Sequence, residues 1–301
     1  TAIDYLQRAT QLEPDQNRAW SLLGLCQAYQ VGLQSGVDQL LRAAQSEPQE
    51  YDYWNNLGLA YYNAEVYDTA VVYFKKAYEV SPDHNSSLSN LAYTFLVQEE
   101  YDSALYYYSL RVDRNPAMEQ ARLDRAEAFE SAEMWAEAIR DYDFLLSQEG
   151  ADTQLYYTRA NAYYQLEQYT SAITDLDKAI AANPGQEAFI LLRAKAHYET
   201  GQYEAVIADC ATGLSIAPEN AYFFDYSGKS NAAIGNLDLA VEDFTRSIEL
   251  YDSDGEIYYL RAETYLQLGK LELACQDLLE AQELAYEEAT ILLDTNCALG
   301  E

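Results

Sequence analysis

The sequence predicts an all-α fold, an α-solenoid (superhelix) of about eight 34-residue helix–turn–helix repeats with half-repeats at both ends. The first observation behind this prediction is that all six prolines share one 34-residue register. They are Pro14, Pro48, Pro82, Pro116, Pro184 and Pro218. Because proline does not continue a helix interior, each one marks the end of a repeat. The second observation is that apolar and small residues recur at helical spacing in two blocks within each period.

The period from Tyr51 to His84 has the most complete pattern. Its large and small residues follow the order W-x2-L-G-x2-Y, then A-x3-F-x2-A, then P, at Trp54, Leu57, Gly58, Tyr61, Ala70, Phe74, Ala77 and Pro82. This segment resembles the tetratricopeptide repeat at all eight signature positions, and the common register extends the resemblance over essentially the whole chain. The string ACQDLLEAQEL at residues 274–284 resembles the closing repeats of tetratricopeptide proteins from Bacteroidetes-type bacteria.

The register divides the chain into eight tandem repeats between two incomplete ends. Residues 1–16 are expected to form the second helix of a truncated repeat, and the absent first helix indicates a truncation or processing point before residue 1. The repeats then occupy residues 17–50, 51–84, 85–118, 119–152, 153–186, 187–220, 221–254 and 255–288. Residues 289–301 are expected to contain a capping helix, from about Ala289 to Leu299, because a terminal repeat needs a solvated outer face.

The composition is that of a folded but strongly acidic protein. Hydrophobic residues make up 49% of the chain and aromatic residues 13%, which is enough to bury a continuous core. Fifty acidic residues against 18 basic residues give a net charge of −32, and such a field repels nucleic acids and anionic membrane surfaces. No apolar run approaches the length of about 18 residues that a membrane helix needs. We therefore expect neither nucleic acid binding nor direct membrane insertion.

Four repeats have an arginine in the first helix, where repeats one to three have a leucine, and the same four have an aspartate sixteen residues later. The pairs are Arg125 and Asp141, Arg159 and Asp175, Arg193 and Asp209, and Arg261 and Asp277. The two positions lie at equal distances from the hairpin turn, so their side chains should face each other across the two antiparallel helices. The sequence therefore predicts semi-buried structural ion pairs, with Ser227 opposite Asp243 as the incomplete case.

Residues suited to catalysis or metal binding are scarce. His84 and His197 are the two histidines, and they lie more than three repeats apart. No pair of cysteines has the C-x-x-C spacing of a zinc site. We expect no catalytic residue, no metal and no cofactor, so the chain is predicted not to be an enzyme. Cys275 and Cys297 should meet across the last helix pair, either as a disulfide or as two reduced buried thiols.

The family resemblance implies a binding groove, because first helices line the concave face in this family. The family's groove positions fall on Tyr157, Asn161, Tyr164, Lys195, Tyr198, Asp225, Lys229 and Tyr259. Tyrosine suits such a surface because it combines a large apolar ring with a polar tip. Asn161, Lys195 and Lys229 share one position of three consecutive repeats, which predicts binding of an extended segment with an acidic group or free C-terminus. This row departs from the Lys and Asn set of chaperone-binding family members and implies no chaperone ligand.

The leading functional hypothesis is a non-catalytic scaffold or adaptor that binds peptide or helical segments of other proteins and helps to assemble or anchor a larger complex. The alternative is a helical arm of a longer multidomain protein, whose catalytic, signalling or envelope-binding part lies outside this chain. Many tetratricopeptide proteins of the Bacteroidetes type are exported. The resemblance to them favours a bacterial periplasm or cell envelope over the cytoplasm.

Overall fold

The computed structural model describes residues 2–297, which form eighteen α-helices and one 3-10 helix and include no strand. The α-helices are α1 (Ala2–Leu12), α2 (Asn17–Gln30), α3 (Val37–Ser46), α4 (Tyr51–Asn63), α5 (Tyr67–Val80), α6 (Asn85–Val97), α7 (Tyr101–Arg114), α8 (Glu119–Ser131), α9 (Trp135–Leu146), α10 (Gln154–Gln165), α11 (Tyr169–Ala182), α12 (Glu187–Glu199), α13 (Tyr203–Ile216), α14 (Ala221–Ala233), α15 (Leu237–Leu250), α16 (Gly255–Gln267), α17 (Leu271–Glu283) and α18 (Glu287–Asn296). The 3-10 helix is Leu33–Ser35. The all-α prediction is confirmed for the described residues.

The chain divides into two compact units, an N-terminal unit that extends to Leu145 and a C-terminal unit that begins at Leu146. In the N-terminal unit the hairpins are α2 with α3, α4 with α5, and α6 with α7. In the C-terminal unit they are α10 with α11, α12 with α13, α14 with α15, and α16 with α17. Within each unit the second helix of one hairpin packs on the first helix of the next. This arrangement confirms the predicted solenoid of helix pairs.

The two incomplete ends of the register are also helical. Helix α1 packs on α2, and α18 packs on α17. Helix α18 corresponds to the predicted capping helix, although it begins two residues earlier, at Glu287. Leu299 and the rest of residues 298–301 lie outside the described residues.

The prolines end the repeats, and the carbonyl groups of three of them accept a hydrogen bond from the first helix of the next hairpin. Trp20 donates a hydrogen bond from Nε1 to the carbonyl of Pro14 at 2.9 Å, and Trp54 donates the same bond to Pro48. Arg122 occupies the equivalent position in repeat four, where its Nε donates to the carbonyl of Pro116 at 3.1 Å. In repeats one, two and four, the residue at the family's tryptophan position therefore donates a hydrogen bond to the carbonyl of the preceding proline.

The two helices of a hairpin cross so closely that residues sixteen apart face each other. A Cβ atom on Gly58 would lie 2.4 Å from the ring of Phe74, so only glycine fits opposite this phenylalanine. Gly228 faces Phe244 in the same way. Other repeats have alanine at this first-helix position, as at Ala160 opposite Leu176 and at Ala126 opposite Tyr142, and all four residues are fully buried.

We predict that Gly58→Val lowers the free energy of unfolding by about 1–3 kcal/mol, because the added atoms overlap the Phe74 ring in a closed core. Gly185→Val is the matched control, since no atom lies within 4 Å of a Cβ built there. The control should change the same free energy by less than about 0.5 kcal/mol. Urea unfolding followed by circular dichroism measures both, and equal effects would show that the crossing is looser than described.

Candidate functional site

The first helices of the C-terminal unit form one continuous face. Helix α10 contacts α12, α12 contacts α14, and α14 contacts α16. All eight residues that the sequence assigns to a groove lie on these helices: Tyr157, Asn161 and Tyr164 on α10, Lys195 and Tyr198 on α12, Asp225 and Lys229 on α14, and Tyr259 on α16. Asp225 is buried and the other seven are half-buried. We refer to the surface that these residues form as the groove.

Tyrosines in the middle of the groove are fixed by contacts with other aromatic rings. The Tyr198 ring lies 5.6 Å from that of Tyr226 on the next first helix, and 5.7 Å from that of Tyr203 on α13. Tyr164 makes the equivalent contact with Tyr169 at 5.3 Å. Burial raises the pKa of both Tyr164 and Tyr198, so their hydroxyl groups stay protonated and can donate hydrogen bonds at neutral pH.

The tyrosines at the two ends of the groove are held differently. Tyr157 stacks on Phe189 of the next first helix, with ring centroids 4.6 Å apart. The Tyr259 hydroxyl donates a hydrogen bond to Oε1 of Glu263 at 3.0 Å. Burial, followed by this bond and the Glu263 charge, raises the pKa of Tyr259 to about 12. The groove therefore has preset aromatic positions along its length.

Lys229 is already neutralised by two carboxylates. Its Nζ lies 3.1 Å from Oε1 of Glu256 on α16 and 3.2 Å from both carboxylate oxygens of Asp225. Burial lowers the pKa of Lys229, but the charges and hydrogen bonds of Asp225 and Glu256 together raise it above its ordinary value. The sequence suggested Lys229 as a free cation for an acidic ligand, and the reason it is not free is Glu256, which the next repeat supplies.

Lys195 and Asn161 have more open surroundings. Within the described residues, no carboxylate lies within salt-bridge distance of Lys195, whose Nζ instead lies 5.5 Å from the ring centroid of Tyr222 and 5.8 Å from that of Tyr226. Asn161 is half-buried and forms no side-chain hydrogen bond within the same part of the chain. These two side chains keep their polar groups available for a ligand.

The four arginines that the sequence pairs with aspartates contact the aspartates sixteen residues later through two hydrogen bonds each. Nε donates to Oδ2 and Nη2 donates to Oδ1, at 2.7 and 2.7 Å for Arg125 with Asp141, 2.7 and 2.8 Å for Arg159 with Asp175, 3.0 and 2.5 Å for Arg193 with Asp209, and 2.8 and 2.7 Å for Arg261 with Asp277. The aspartates are buried, and the arginine side chains are at most 22% exposed. These are structural pairs because nothing outside the hairpin is needed to neutralise them.

The arginines also have a second role that the sequence did not suggest. Nη1 of Arg193 donates to Oδ1 of Asp177 at 2.7 Å, and Nη1 of Arg261 donates to Oγ1 of Thr245 at 3.0 Å. Each acceptor lies sixteen residues before its arginine, on the second helix of the preceding hairpin. One guanidinium group therefore connects two consecutive hairpins. The sequence does have a polar residue sixteen positions before each of these arginines, but its role as an acceptor becomes evident only when the packing of the hairpins is known.

Repeat seven completes its hydrogen bonds without an arginine. Ser227 donates to Oδ2 of Asp243 at 2.7 Å, and Asn231 donates to the same oxygen at 2.9 Å. Burial raises the pKa of Asp243, and the bonds from Ser227 and Asn231 lower it only in part. The sequence identified Ser227 as the facing residue but did not identify Asn231 as a second donor.

The last hairpin and the following helix are joined covalently, because Cys275 and Cys297 form a disulfide that links α17 to the end of α18. The sequence left open whether these cysteines form a disulfide or stay reduced, and in the structure they form the disulfide. Cys26 and Cys210 are free thiols. Closing a loop of 22 residues restricts the unfolded chain, an effect of about 3 kcal/mol in the chain-entropy description.

His84 lies in the N-terminal unit and His197 in the C-terminal unit. His84 stacks on Tyr51 with ring centroids 3.8 Å apart, whereas His197 is largely buried with Nε2 at 4.0 Å from Asp209. In the part of the chain that the structure describes, no group of three His, Cys, Asp or Glu residues is arranged to hold a metal ion. None of the helices found between residues 2 and 297 has the length and hydropathy needed to cross a membrane.

Three segments of the chain match sequence models of the tetratricopeptide repeat. They are residues 51–84, 153–186 and 228–288. The first of these is the period that resembles the family at all eight signature positions. No curated protein matches the chain in sequence.

Solved tetratricopeptide structures share the fold. A tetratricopeptide repeat protein from Parabacteroides merdae is 20% identical, with a TM-score of 0.58 over 82% of this chain and 98% of its own. The C-terminal part of a repeat-containing protein from Cytophaga hutchinsonii is 14% identical, with a TM-score of 0.65 over 80% and 98%. YrrB, described as a TPR protein with an unusual peptide-binding site, is 20% identical, with a TM-score of 0.52 over 60% and 92%.

We predict that Arg261→Leu lowers the free energy of unfolding by about 3–5 kcal/mol, because it leaves the Asp277 carboxylate buried without its partner. The double variant with Asp277→Tyr recreates the Leu57 and Tyr73 combination of repeat two, and should recover all but about 1.5 kcal/mol. Arg246→Leu removes an exposed pair and should cost less than about 1 kcal/mol. Urea unfolding measures all three, and a double variant no more stable than the single one would contradict the pairing.

Proposed function

We propose that the chain is a scaffold whose groove holds an extended segment of a partner protein, because three of its segments match tetratricopeptide-repeat models and proteins of that family typically bind other proteins. The observation that carries this proposal is the row of half-buried tyrosines on α10, α12 and α16, each fixed by a neighbouring side chain. Preset aromatic rings lose little conformational entropy when they bind a ligand, so they suit a peptide surface.

The polar anchor that we propose for the segment is Lys195, assisted by Asn161. Lys195 contacts tyrosine rings and no carboxylate in the described chain, so an acidic group or a free C-terminal carboxylate can approach it without displacing a partner. Lys229 has a structural role in this proposal, because Asp225 and Glu256 already balance its charge. The described peptide-binding site of YrrB supports the use of this fold for peptides. Assembly of a larger complex would follow if the partner is itself a subunit.

We predict that dodecapeptides selected from a random displayed library on the wild-type chain bind at least about tenfold more weakly to Lys195→Glu and to Tyr198→Ala. Lys195→Glu repels an acidic group, and Tyr198→Ala removes a ring at the middle of the groove. Tyr106→Ala is the matched control, because Tyr106 is a 62% exposed tyrosine of α7 in the other unit. Calorimetry measures the dissociation constants. Equal affinity for all variants, or the same loss with Tyr106→Ala, would exclude the groove.

We also propose that the protein works in an oxidising compartment such as a bacterial periplasm or cell envelope. The disulfide between Cys275 and Cys297 supports this location, because such bonds persist outside the reducing cytoplasm. Residues 274–284 resemble the closing repeats of tetratricopeptide proteins of the Bacteroidetes type, many of which are exported, and this agrees with the proposal.

Alkylation of the protein taken from its native cells and denatured without reductant should therefore modify Cys26 and Cys210 alone. After reduction, all four cysteines should react. Mass spectrometry of the tryptic peptides reads out both results. Alkylation of Cys275 and Cys297 without reductant would contradict an oxidising location.

A further inference from the structure

A cavity of about 420 Å3 opens beside the groove, where the N-terminal ends of α14 and α16 meet the C-terminal end of α15. Its lining includes Glu219, Asp225 and Asp254, and it includes no lysine or arginine. The ammonium group of Lys229 contacts Asp225, but it also balances the charge of Glu256. The carboxylates around the cavity therefore outnumber the positively charged groups. The field inside the cavity therefore favours a cation.

Asp225 is the deepest charged group of the cavity, with only 8% of the residue exposed. Its Oδ2 accepts a hydrogen bond from Lys229 at 3.2 Å. Oδ1 lies at the same distance from Nζ but accepts no hydrogen bond. Both oxygens therefore depend on one ammonium group, which Glu256 also shares, so Asp225 adds an incompletely balanced negative charge to the cavity wall.

The helix N-termini at the cavity do not reverse this preference. Such ends favour anions when their N–H groups are free. Here Asn220 accepts from the amide of Tyr222 at 3.1 Å, and Asp254 accepts from the amide of Glu256 at 3.0 Å. Both ends are capped by side chains, and the Asp254 cap itself adds a negative charge.

The rest of the lining is apolar or aromatic. Ile257 is 3% exposed and Leu250 is half-buried, so they form an apolar floor. Tyr222 and Tyr251 are each 59% exposed and form walls whose ring faces attract cations. A ligand that fits this lining has an aliphatic stem and a charged, hydrogen-bonding head. A lone metal ion does not, since no metal-binding cluster lies in the described residues.

We propose that this cavity binds a basic side chain, an ammonium or guanidinium group on an aliphatic stem, from the segment that the groove holds. The inference depends on the proposed function only for the source of that side chain. Tyr222 connects the two sites, because its ring both lines the cavity and lies 5.5 Å from Nζ of Lys195. The partner segment therefore places an acidic group at Lys195 and a basic residue beyond the Tyr222 ring.

Binding at this cavity depends on pH through Asp225. Burial is the largest cause that raises its pKa to about 6, Glu256 and Asp254 raise it further, and Lys229 lowers it in part. A cationic head favours the ionised carboxylate, so binding below pH 6 must release a proton from Asp225. The affinity should be constant above pH 7 and about tenfold weaker at pH 5.

The test uses the whole chain with 13C-labelled tyrosine rings and three small probes followed by NMR. The probes are the N-acetyl methylamides of arginine, lysine and norleucine, of which norleucine has the stem without the charge. Tyr222→Phe and Tyr251→Phe assign the two ring signals. We expect saturable shifts of both rings with arginine and lysine and no saturation with norleucine. Equal shifts with norleucine, or no saturation with any probe, would overturn the proposal.

Asp254→Ser is the most specific variant, because serine can still cap α16 while the charge is removed. It should weaken arginine binding several-fold, whereas Glu204→Gln, at an exposed position of α13, should leave it unchanged. Equal affinity for Asp254→Ser and the wild type, or for pH 5 and pH 7.5, would also overturn the proposal. If peptides bind to the groove but the probes do not bind to the cavity, only the cavity proposal is excluded. If the probes bind to the cavity but no peptide binds to the groove, only the groove proposal is excluded.

Discussion

The fold depends on one geometric constraint, the close crossing of two helices that brings residues sixteen apart into contact. The same crossing requires Gly58 opposite Phe74 and allows Ala160 opposite Leu176. One position earlier, it places a leucine, an arginine or, in repeat seven, Ser227 opposite the residue sixteen positions later. The first-helix residue at this crossing is small in each of the eight repeats, either glycine or alanine, and a buried charge one position earlier requires its opposite.

An arginine at this position makes polar contacts that the leucine it replaces cannot make. Arg193 and Arg261 each donate hydrogen bonds to an aspartate of their own hairpin and to a residue of the preceding hairpin, so each guanidinium group joins two consecutive hairpins. This fixes the spacing of neighbouring first helices in the C-terminal unit. The groove depends on that spacing, because its tyrosines contact rings from the next helix along.

Most of the fold could be predicted from the sequence, because proline register and helical spacing are local and repeat. The contact of Arg261 with Asp277 could also be predicted, since both lie at fixed distances from one turn. Three features could not. The pairing of Lys229 with Glu256 joins different repeats, the backward bonds of the arginines depend on hairpin packing, and the cavity at Asp225 exists only where three helix ends converge.

The most direct measurement of the central constraint is the exchange of arginine Nε protons with water, followed by NMR in 15N-labelled protein at neutral pH. In Arg125, Arg159, Arg193 and Arg261 each Nε proton is bonded to an aspartate facing it across the hairpin. These four protons should exchange at least about tenfold more slowly than those of the exposed Arg8, Arg18 and Arg140. Equal rates for the two groups would mean that residues sixteen apart do not face each other, and would contradict the account.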